Sequence, residues 1–275
     1  ENRLVKQDGY TYESLDITNP KNVEEVFTKF LPEVIINTAA MTNVDACELE
    51  KENAWLMNAS SVDYQVKVLE SLKNKRPKYS PHFIHLSTDF IFDGAHGPLD
   101  ENEKPNPLSY YAETKLEAEK IVMASSLDWA IARTVLVYGI VDNMSRSNIV
   151  LWVKSNLEQG KTINVVDDQF RTPTLAEDLA DGCILIAKKR AKGIYNISGK
   201  DFYSILELAN TVADYYGLDK SLIKPSKSAD IKQPAKRPPI TGFIIEKAKR
   251  ELGYNPHSFT EGIKILEDQI KEMGK

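Results

Sequence analysis

Cysteine and histidine are scarce in this sequence, and that scarcity narrows the chemistry available to it. The two cysteines, Cys47 and Cys183, lie far apart and fit no metal-ligand spacing, so they indicate reduced thiols in a cytoplasmic protein. The four histidines contain no H-x-x-x-H pair that could bind a metal from one helix. The sequence therefore predicts no metal site, and His82 and His85, which flank an apolar strand, are assigned a structural role.

Long apolar runs and an excess of positive charge are absent as well. No run approaches the ~20 residues of a membrane span, and no signal-peptide pattern opens the chain. The net charge of -5 argues against nucleic acid as the main partner, although a nucleotide-linked substrate needs only a local cluster of cations. With 275 residues and 42% hydrophobic content, the chain can bury a full core as one large or two unequal domains. We therefore expect no membrane and no nucleic-acid partner.

An alternation of strand and helix patterns predicts a parallel sheet. Residues 10–17 have the pattern of a strand that ends at an acid, and Asn19-Pro20 begins a helix. Residues 34–36 are β-branched and wholly apolar, which is typical of a strand covered on both faces. Ligands bind beyond the carboxyl ends of such strands. The positions that fall at these ends are Asp16, Ala39-Ala40 and Thr88.

The whole pattern predicts an α/β fold, a doubly wound parallel (Rossmann-type) sheet with a smaller C-terminal substrate lobe. We expect residues 1–142 to form the Rossmann-type domain and residues 143–275 mainly the second lobe, with segments at about 162–200 returning to the first domain. Asn106 is the predicted cap of one helix, and Thr174 with Glu177 form a capping box. Helices are predicted at 48–73, 107–124, 148–157, 174–190, 203–216, 243–252 and 259–273, and strands at 82–86, 129–133, 163–166 and 194–197.

One motif of dinucleotide-binding folds is missing. Such a fold begins with a strand, a glycine-rich turn and a helix, so that the pyrophosphate lies at the helix N-terminus. No G-x-G-x-x-G or G-x-x-G-x-x-G occurs here. The chain begins at what corresponds to a third strand, and we expect one strand–helix–strand unit of about 30 residues to precede it in the natural protein. A Rossmann relative that never bound a dinucleotide is the alternative.

The most informative stretch runs from residue 86 to residue 115. It holds the end of an apolar strand with Ser87-Thr88-Asp89, then a proline-rich loop, then a helix. The apolar stripe of that helix consists of Leu108, Tyr111, Lys115, Ala118 and Val122. Tyr111 and Lys115 lie one turn apart and must share an environment. An ammonium group near a phenol lowers the phenol's pKa from ~10 toward the range of a general acid or base.

A Tyr-x-x-x-Lys spacing does not identify such a site by itself. The same spacing recurs at Tyr216 and Lys220, where no strand-end hydroxyl precedes it, and the border residues of an ordinary amphipathic helix can produce it. Specificity comes from the complete order, which is strand, Ser-Thr-Asp, proline loop, and then Tyr and Lys on a helix.

This arrangement resembles the extended short-chain dehydrogenase/reductase superfamily and, within it, the dTDP-4-dehydrorhamnose reductase family, over nearly the whole chain. The matching motifs are NTAAMT at 37–42 with Val44-Asp45, STDFIFDG at 87–94, residues 109–115, Arg133-Thr134 with Val137-Tyr138-Gly139, Asp168-Gln169 with Pro173-Thr174, and Arg237-Pro238. The resemblance implies that the first domain binds NADPH or NADH and that the second lobe binds a nucleotide-sugar substrate. It leaves open whether two copies of the chain form a homodimer.

The resemblance implies Thr88, Tyr111 and Lys115 as the catalytic set. Tyr111 would protonate the C4 oxygen of a 4-keto sugar while hydride arrives from the nicotinamide. Lys115 would lower the pKa of the phenol and hold the nicotinamide ribose. Thr88, with Asp89 beside it, would position the keto group.

Further cofactor contacts are implied by the same resemblance. Asp16 and Ile17 match the pair that contacts the adenine, and Ala39, Ala40 and Met41 match the segment along the cofactor. The alternative is that these are plain strand-end residues. Asn58 matches a position of polar support between helix and strand and is assigned a structural role.

The implied substrate-binding residues are Thr88, Asp89, Leu136, Arg171 and Arg237. A nucleotide diphosphate needs fork donors or ammonium groups, and the second lobe also offers Lys154 and Arg146. Each of these cations is alternatively a solvated surface charge. Leu136 stands where the family has the tryptophan of Arg-Thr-x-Trp-Val-Tyr, so the identity of the hexose in the substrate stays open. Phe90 stands where sugar-nucleotide 4,6-dehydratases have a glutamate, so the extra acid of their elimination chemistry is lacking.

The leading hypothesis is an NAD(P)H-dependent reductase that converts dTDP-4-dehydro-L-rhamnose to dTDP-L-rhamnose in cell-surface polysaccharide biosynthesis. The second is another sugar-nucleotide reductase or epimerase of the extended family. The third is a non-catalytic regulatory subunit similar to the methionine adenosyltransferase beta subunit. The choice between NADPH and NADH stays open, because its determinant lies at the end of a strand that this sequence does not contain.

Overall fold

The structure, a computed structural model, describes residues 9–141 and 148–273. Helices and strands alternate along the first part of the chain, and Asn19 caps the first helix by accepting hydrogen bonds from the backbone N–H groups of Lys21 and Asn22. The elements are α1 (Pro20–Phe30), β1 (Val34–Asn37), α2 (Val44–Leu49), α3 (Lys51–Trp55), a π-helical turn (Leu56–Ser60), α4 (Ser61–Lys75), β2 (His82–Thr88), α5 (Tyr110–Ala124) and β3 (Asp128–Thr134).

Short strands separate the helices in the second part of the chain. The elements are β4 (Val137–Tyr138), α6 (Ile149–Glu158), β5 (Ile163–Val166), β6 (Phe170–Arg171), β7 (Thr174–Leu175), α7 (Ala176–Lys189), β8 (Gly193–Asn196), β9 (Tyr203–Ser204), α8 (Ile205–Tyr216), β10 (Ile223–Ser226), α9 (Glu246–Leu252) and α10 (Phe259–Glu272). Capping boxes begin α8 and α10, at Ser204 with Glu207 and at Ser258 with Glu261. Within the described residues, no helix combines the length and apolarity needed to cross a membrane.

Strands β1, β2, β3 and β8 form one parallel sheet in that order. On one face it packs against α1, α4 and α5, through a core that includes Leu69 and Val122. On the other face it packs against α7 and α9, through a core that includes Ile186 and Leu252. Helices on both faces of a parallel sheet confirm the predicted α/β, doubly wound Rossmann-type fold.

A separate core lies in the C-terminal part of the chain. It joins α6, α8 and α10 to the parallel pair of β5 and β10, and the rings of Tyr138 and Phe259 pack edge to face in it with centroids 5.2 Å apart. Of the segments near 162–200, α7 and β8 pack in the main sheet, whereas β5 lies in this second core. Residues 142–147 fall outside the described residues, so the division between residues 142 and 143 stays a prediction.

The structure corrects two expectations about the first strands. Residues 10–17 form no strand, since they pair with no strand of the described residues. The segment ends in a turn, in which the backbone N–H of Asp16 donates to Asn22 Oδ1 (2.8 Å) and its carbonyl accepts from Asn19 N (3.1 Å). Strand β1 is an edge strand of the described sheet, and its two faces are only partly covered. Val34 packs against the core on one face and Ile35 against the core on the other, whereas the Ile36 side chain is 39% exposed.

Three helix boundaries also differ from expectation. The Asn106 side chain donates to Asp93 Oδ2 (2.8 Å) within the proline loop, and Ser109 caps α5 instead. Leu108 thus precedes the helix and is exposed. The Thr174 hydroxyl donates to the Val135 carbonyl (2.7 Å) and forms no capping box, so α7 begins at Ala176. The predicted helix at 48–73 is divided into α2, α3, the π-helical turn and α4.

Candidate active site

Tyr111 and Lys115 lie on the face of α5 that packs against β2. Both side chains are buried, with 8% of Tyr111 and 4% of Lys115 exposed. Lys115 Nζ donates to the carbonyl oxygen of Leu86 at 2.7 Å, which holds the ammonium group near the carboxyl end of β2. The Tyr111 ring packs edge to face against Phe90. The structure therefore places the pair in one buried environment, as the spacing on the helix predicted.

Thr88 and Asp89 lie where β2 ends. Thr88 Oγ1 donates to Asp89 Oδ1 at 3.1 Å, and the Thr88 hydroxyl acts to lower the pKa of the Tyr111 phenol. The buried Asp89 carboxylate also accepts from the Thr241 hydroxyl and lies 3.7 Å from Arg171 Nε. Because protein groups occupy both carboxylate oxygens, Asp89 is placed to orient Thr88.

Burial dominates the proton affinities of this pair. It raises the pKa of Tyr111 well above its usual value, with a smaller opposing effect of the bond to Thr88. Lys115 contributes nothing to that shift, so the expected lowering of the phenol's pKa is not found in this structure. Burial lowers the pKa of Lys115 itself to about 8, partly offset by Glu119. The phenol is consequently protonated at neutral pH, which is the state a proton donor requires.

The segment at residues 39–41 follows β1 and is held by Asn58. Asn58 Oδ1 accepts from Met41 N (2.7 Å), and its Nδ2 donates to Met41 O (3.1 Å) and to Thr114 Oγ1 (3.0 Å). Asn58 lies in the π-helical turn, a local irregularity of the kind often found at functional sites. These contacts fit its predicted supporting role. Ala40 is half-buried and lines a cavity that is described below, whereas Ala39 is exposed.

Asp16 and Ile17 lie apart from this site. Asp16 is exposed, and its carboxylate accepts from the Thr18 hydroxyl (2.6 Å) and backbone N–H (2.9 Å), bonds that lower its pKa. Ile17 is buried. Neither residue lines the cavity described below, so their assignment to the adenine stays a prediction.

A cavity of about 490 Å³ opens at the carboxyl ends of β1 and β2. Residues of the predicted site that line it are Ala40, Thr88, Asp89, Tyr111, Lys115 and Leu136. A smaller cavity of about 230 Å³ lies on the side of the second lobe, with Trp152, Gln169 and Arg237 in its wall. Leu136 lines both cavities, and its φ of 38° is a backbone conformation that a leucine rarely adopts. Leu136 therefore lies between Thr88, Tyr111 and Lys115 on one side and the second lobe on the other.

The two predicted arginines are arranged very differently. Arg171 is buried, and its guanidinium donates to the carbonyl oxygens of Phe170 (2.7 Å), Pro238 (2.7 Å) and Pro239 (3.0 Å). It lines neither cavity, so its predicted substrate contact is not visible in the structure. Arg237 lines the smaller cavity and forms a two-pronged ion pair with Asp45 on α2, at 2.7 and 3.1 Å.

Of the other cations considered, Lys154 forms an ion pair with Glu158 at 2.9 Å on the same helix. Arg146 lies outside the described residues. No group of three or more His, Cys, Asp or Glu side chains that could hold a metal ion occurs within residues 9–141 and 148–273.

Two buried polar residues on β2 were not predicted as part of the site. His85 was assigned a structural role, yet its Nε2 lies 3.2 Å from Lys115 Nζ. Ser87 lines the larger cavity, and its buried hydroxyl has no hydrogen-bond partner among the described residues. The alternation of a strand places residues 85 and 87 on the same face, a signal that could have identified both once Lys115 was assigned.

Solved reductases share this fold. A dTDP-4-dehydrorhamnose reductase from Clostridium acetobutylicum matches with a TM-score of 0.84 and 29% identity, covering 94% of this chain and 88% of that chain. The reductase from Bacillus anthracis, solved in complex with NADP, matches with a TM-score of 0.81 and 26% identity, covering 93% of this chain and 87% of that chain. The predicted cofactor, NADPH or NADH, agrees with that complex.

Sequence relatives extend the comparison. The chain is 30% identical over 270 residues to the dTDP-4-dehydrorhamnose reductase of Aggregatibacter actinomycetemcomitans, which covers 93% of this chain and 87% of that protein. It is 31% identical over 219 residues to the methionine adenosyltransferase 2 subunit beta of Xenopus tropicalis, over 78% of this chain and 64% of that protein. The fold, the site and these matches assign the chain to the NAD(P)H-dependent oxidoreductases. Residues 3–272 match the family described as RmlD substrate binding domain, and the chain belongs to that family.

The residues around the larger cavity fit the nicotinamide ribose half of such a cofactor. The ammonium group of Lys115 and the unpartnered hydroxyl of Ser87 supply donors, and Ala40 leaves the backbone of the 39–41 segment accessible. Donors at the end of a parallel strand are the arrangement that nucleotide sites in this kind of fold use. A glycine-rich turn for the pyrophosphate does not occur within the described residues, so the fit concerns this half alone.

Proposed function

We propose that the protein reduces the C4 keto group of a dTDP-4-dehydro-6-deoxyhexose with NADPH or NADH, converting dTDP-4-dehydro-L-rhamnose to dTDP-L-rhamnose. The observation that carries the proposal is the convergence of Thr88, Tyr111 and Lys115 on one cavity beyond the end of β2. The relatives named as dTDP-4-dehydrorhamnose reductases support the choice of substrate.

Each catalytic side chain has a role that follows from its surroundings. NADPH or NADH, when bound, would supply the hydride. Tyr111 is kept protonated by burial and donates its proton to the C4 oxygen. The Thr88 hydroxyl has a single proton, which Asp89 Oδ1 accepts in this structure, and it binds the same oxygen once that proton turns from Asp89 toward the substrate. The Lys115 ammonium would hold the ribose hydroxyls of the nicotinamide nucleotide. Little water reaches Tyr111 and Lys115, because both side chains are almost fully buried.

The smaller cavity is proposed to receive the nucleotide diphosphate of the substrate. Arg237 presents a planar fork there, which suits a phosphate oxygen pair. Its present partner, Asp45, is a carboxylate of the same geometry, so a diphosphate can replace it on the guanidinium. Leu136 borders both cavities and is proposed to contact the sugar ring between them.

The test is the rate of NADPH or NADH oxidation with dTDP-4-dehydro-L-rhamnose in the Tyr111→Phe variant. Removing the proton donor should lower kcat at least ~100-fold while leaving cofactor binding unchanged. The matched control is Tyr110→Phe, the preceding residue on α5, which does not line the cavity and should retain the wild-type rate. A Tyr111→Phe variant that keeps the wild-type rate would exclude Tyr111 as the proton donor.

A regulatory subunit is the second candidate, and the match to methionine adenosyltransferase 2 subunit beta favours it. In that case the Tyr111→Phe variant would retain full biological activity, because a binding module does not use the phenol. An epimerase, the remaining enzyme candidate, would return the hydride to its product and show no net consumption of NADPH.

A further inference from the structure

A chain of three buried polar side chains runs from α5 into the sheet. Lys115 Nζ lies 3.2 Å from His85 Nε2, and His85 Nδ1 lies 3.2 Å from Asn37 Nδ2. His85 is 1% exposed, and Asn37 lies directly opposite it in the register of β1 and β2. The register fixes Asn37 beside His85, and the packing of α5 on β2 fixes Lys115 beside His85.

The hydrogen bonds among Asn37, His85 and Lys115 restrict which atoms can carry the protons. An amide NH₂ group has only donors, so His85 Nδ1 must accept from Asn37 in the contact as it stands, and the single proton of the neutral ring must then lie on Nε2. An N–H at Nε2 can bond to a neutral lysine amine, which has a lone pair, but not to an ammonium group. A bond to the ammonium requires the other tautomer, with the proton on Nδ1, and then the Asn37 amide must present its oxygen.

We propose that His85 is a positioning residue for Lys115. With the carbonyl of Leu86, its Nε2 holds the lysine amino group at the end of β2, and the tautomer of its ring follows the protonation state of that group. When Lys115 releases one proton to solvent, the His85 proton changes from Nδ1 to Nε2 and the Asn37 amide turns over. The number of protons on His85 is unchanged.

The groups around Lys115 allow its ammonium to lose a proton at a pH near 8, where the folded protein can be studied. On α5 the neighbouring titratable groups are Tyr111 and Glu119, and Glu119 is held by Arg133 of β3 at 2.7 Å. On β2 the facing group is His85, whose pKa is held well below its usual range, first by burial and then by the positive charge of Lys115. His85 therefore stays neutral while Lys115 titrates, so the ring can report the lysine through its tautomer alone.

The first measurement needs no substrate and no activity. Nitrogen-15 NMR of the four histidine rings distinguishes the two neutral tautomers, and the His85→Gln variant identifies the His85 signals. We expect the Nδ1–H form to give way to the Nε2–H form as the pH rises through the Lys115 pKa of about 8. In Lys115→Met the His85 tautomer should be independent of pH. A wild-type ring that keeps one tautomer throughout overturns the proposal.

The second measurement concerns catalysis and therefore rests on the proposed function. Activity that needs the ammonium form falls as the pH rises through the pKa of Lys115. His85→Phe removes an acceptor of the ammonium and should move this falling limb of kcat/KM down by about 1 pH unit. His85→Gln, whose amide can accept or donate, should restore the wild-type limb. An unchanged limb in His85→Phe overturns the positioning role.

A matched control separates this effect from disturbance of the strand. His82 is equally buried and lies three residues earlier on the opposite face of β2, so His82→Phe should leave the limb in place. Absence of turnover with every sugar nucleotide would refute the proposed function, while the tautomer measurement would still decide whether His85 follows Lys115.

Discussion

Replacing Lys115 by methionine should stabilise the fold near neutral pH while removing activity. Lys115 is 4% exposed, and burial lowers its pKa from 10.5 to about 8. The unfolded chain therefore binds this proton more tightly than the folded chain, which at neutral pH lowers the free energy of unfolding by about 3 kcal/mol. The variant also loses the hydrogen bond to the Leu86 carbonyl, at a cost of about 1–2 kcal/mol, so the expected net gain is about 1–2 kcal/mol.

The pH dependence tests this reasoning more sharply than the absolute value. Because the folded pKa lies below the unfolded one, the penalty is fully present below about pH 8 and shrinks as the pH rises toward 10.5. The stability advantage of Lys115→Met should therefore fall by about 2 kcal/mol between about pH 7 and about pH 9.5. Urea unfolding followed by tryptophan fluorescence at both pH values measures this difference.

Lys120→Met is the matched control on the same helix. Lys120 is exposed and pairs with Glu117, so its replacement should change the free energy of unfolding by no more than ~0.5 kcal/mol at either pH. A Lys115→Met advantage that stays constant with pH would refute a lowered pKa for Lys115 and, with it, the picture of a buried ammonium that titrates near pH 8.

Further predictions concern residues that support the site. Asn58→Ala removes three hydrogen bonds and should lower the free energy of unfolding by about 2–3 kcal/mol in urea titrations, with a raised KM for the cofactor; an unchanged KM would limit Asn58 to stability. Glu119→Gln leaves the buried Arg133 without its countercharge, so the free energy of unfolding should fall by about 3 kcal/mol. A fall below ~1 kcal/mol would contradict this expectation. Arg237→Ala breaks a partly exposed pair with Asp45, so stability should change by no more than ~1 kcal/mol while KM for the nucleotide sugar rises. Asp45→Ala is its control, since it removes the pair but keeps the arginine.

The local patterns of the sequence predicted most of the elements correctly. The strands at 82–86, 129–133 and 163–166 and the helices at 205–216 and 259–272 were anticipated within a few residues, because side-chain periodicity and caps act over one or two turns. One error lies where a side chain has a distant partner, since the Thr174 hydroxyl binds the Val135 carbonyl instead of capping its own helix.

Within the site, the sequence predicted the pairing that depends on spacing alone. Tyr111 and Lys115 are four residues apart on a helix, so any packing that buries one buries the other. Their proton affinities could not be predicted in this way. The expected lowering of the Tyr111 pKa by Lys115 is not found, and burial, a property of the folded surroundings that no spacing specifies, raises that pKa instead.

The sequence by itself determined the fold class and the spacing of Tyr111 and Lys115 on one helix, because alternating strands and helices and a helical spacing are local properties of the chain. The tertiary structure decided which charges are available. Arg171 is committed to backbone carbonyls, and Arg237 is paired with Asp45, 192 residues away. It likewise decided that His85 contacts Lys115, since a contact between a strand and a helix is set by how the two pack together. Partners so distant along the chain are brought together only when the whole sheet and its helices have folded.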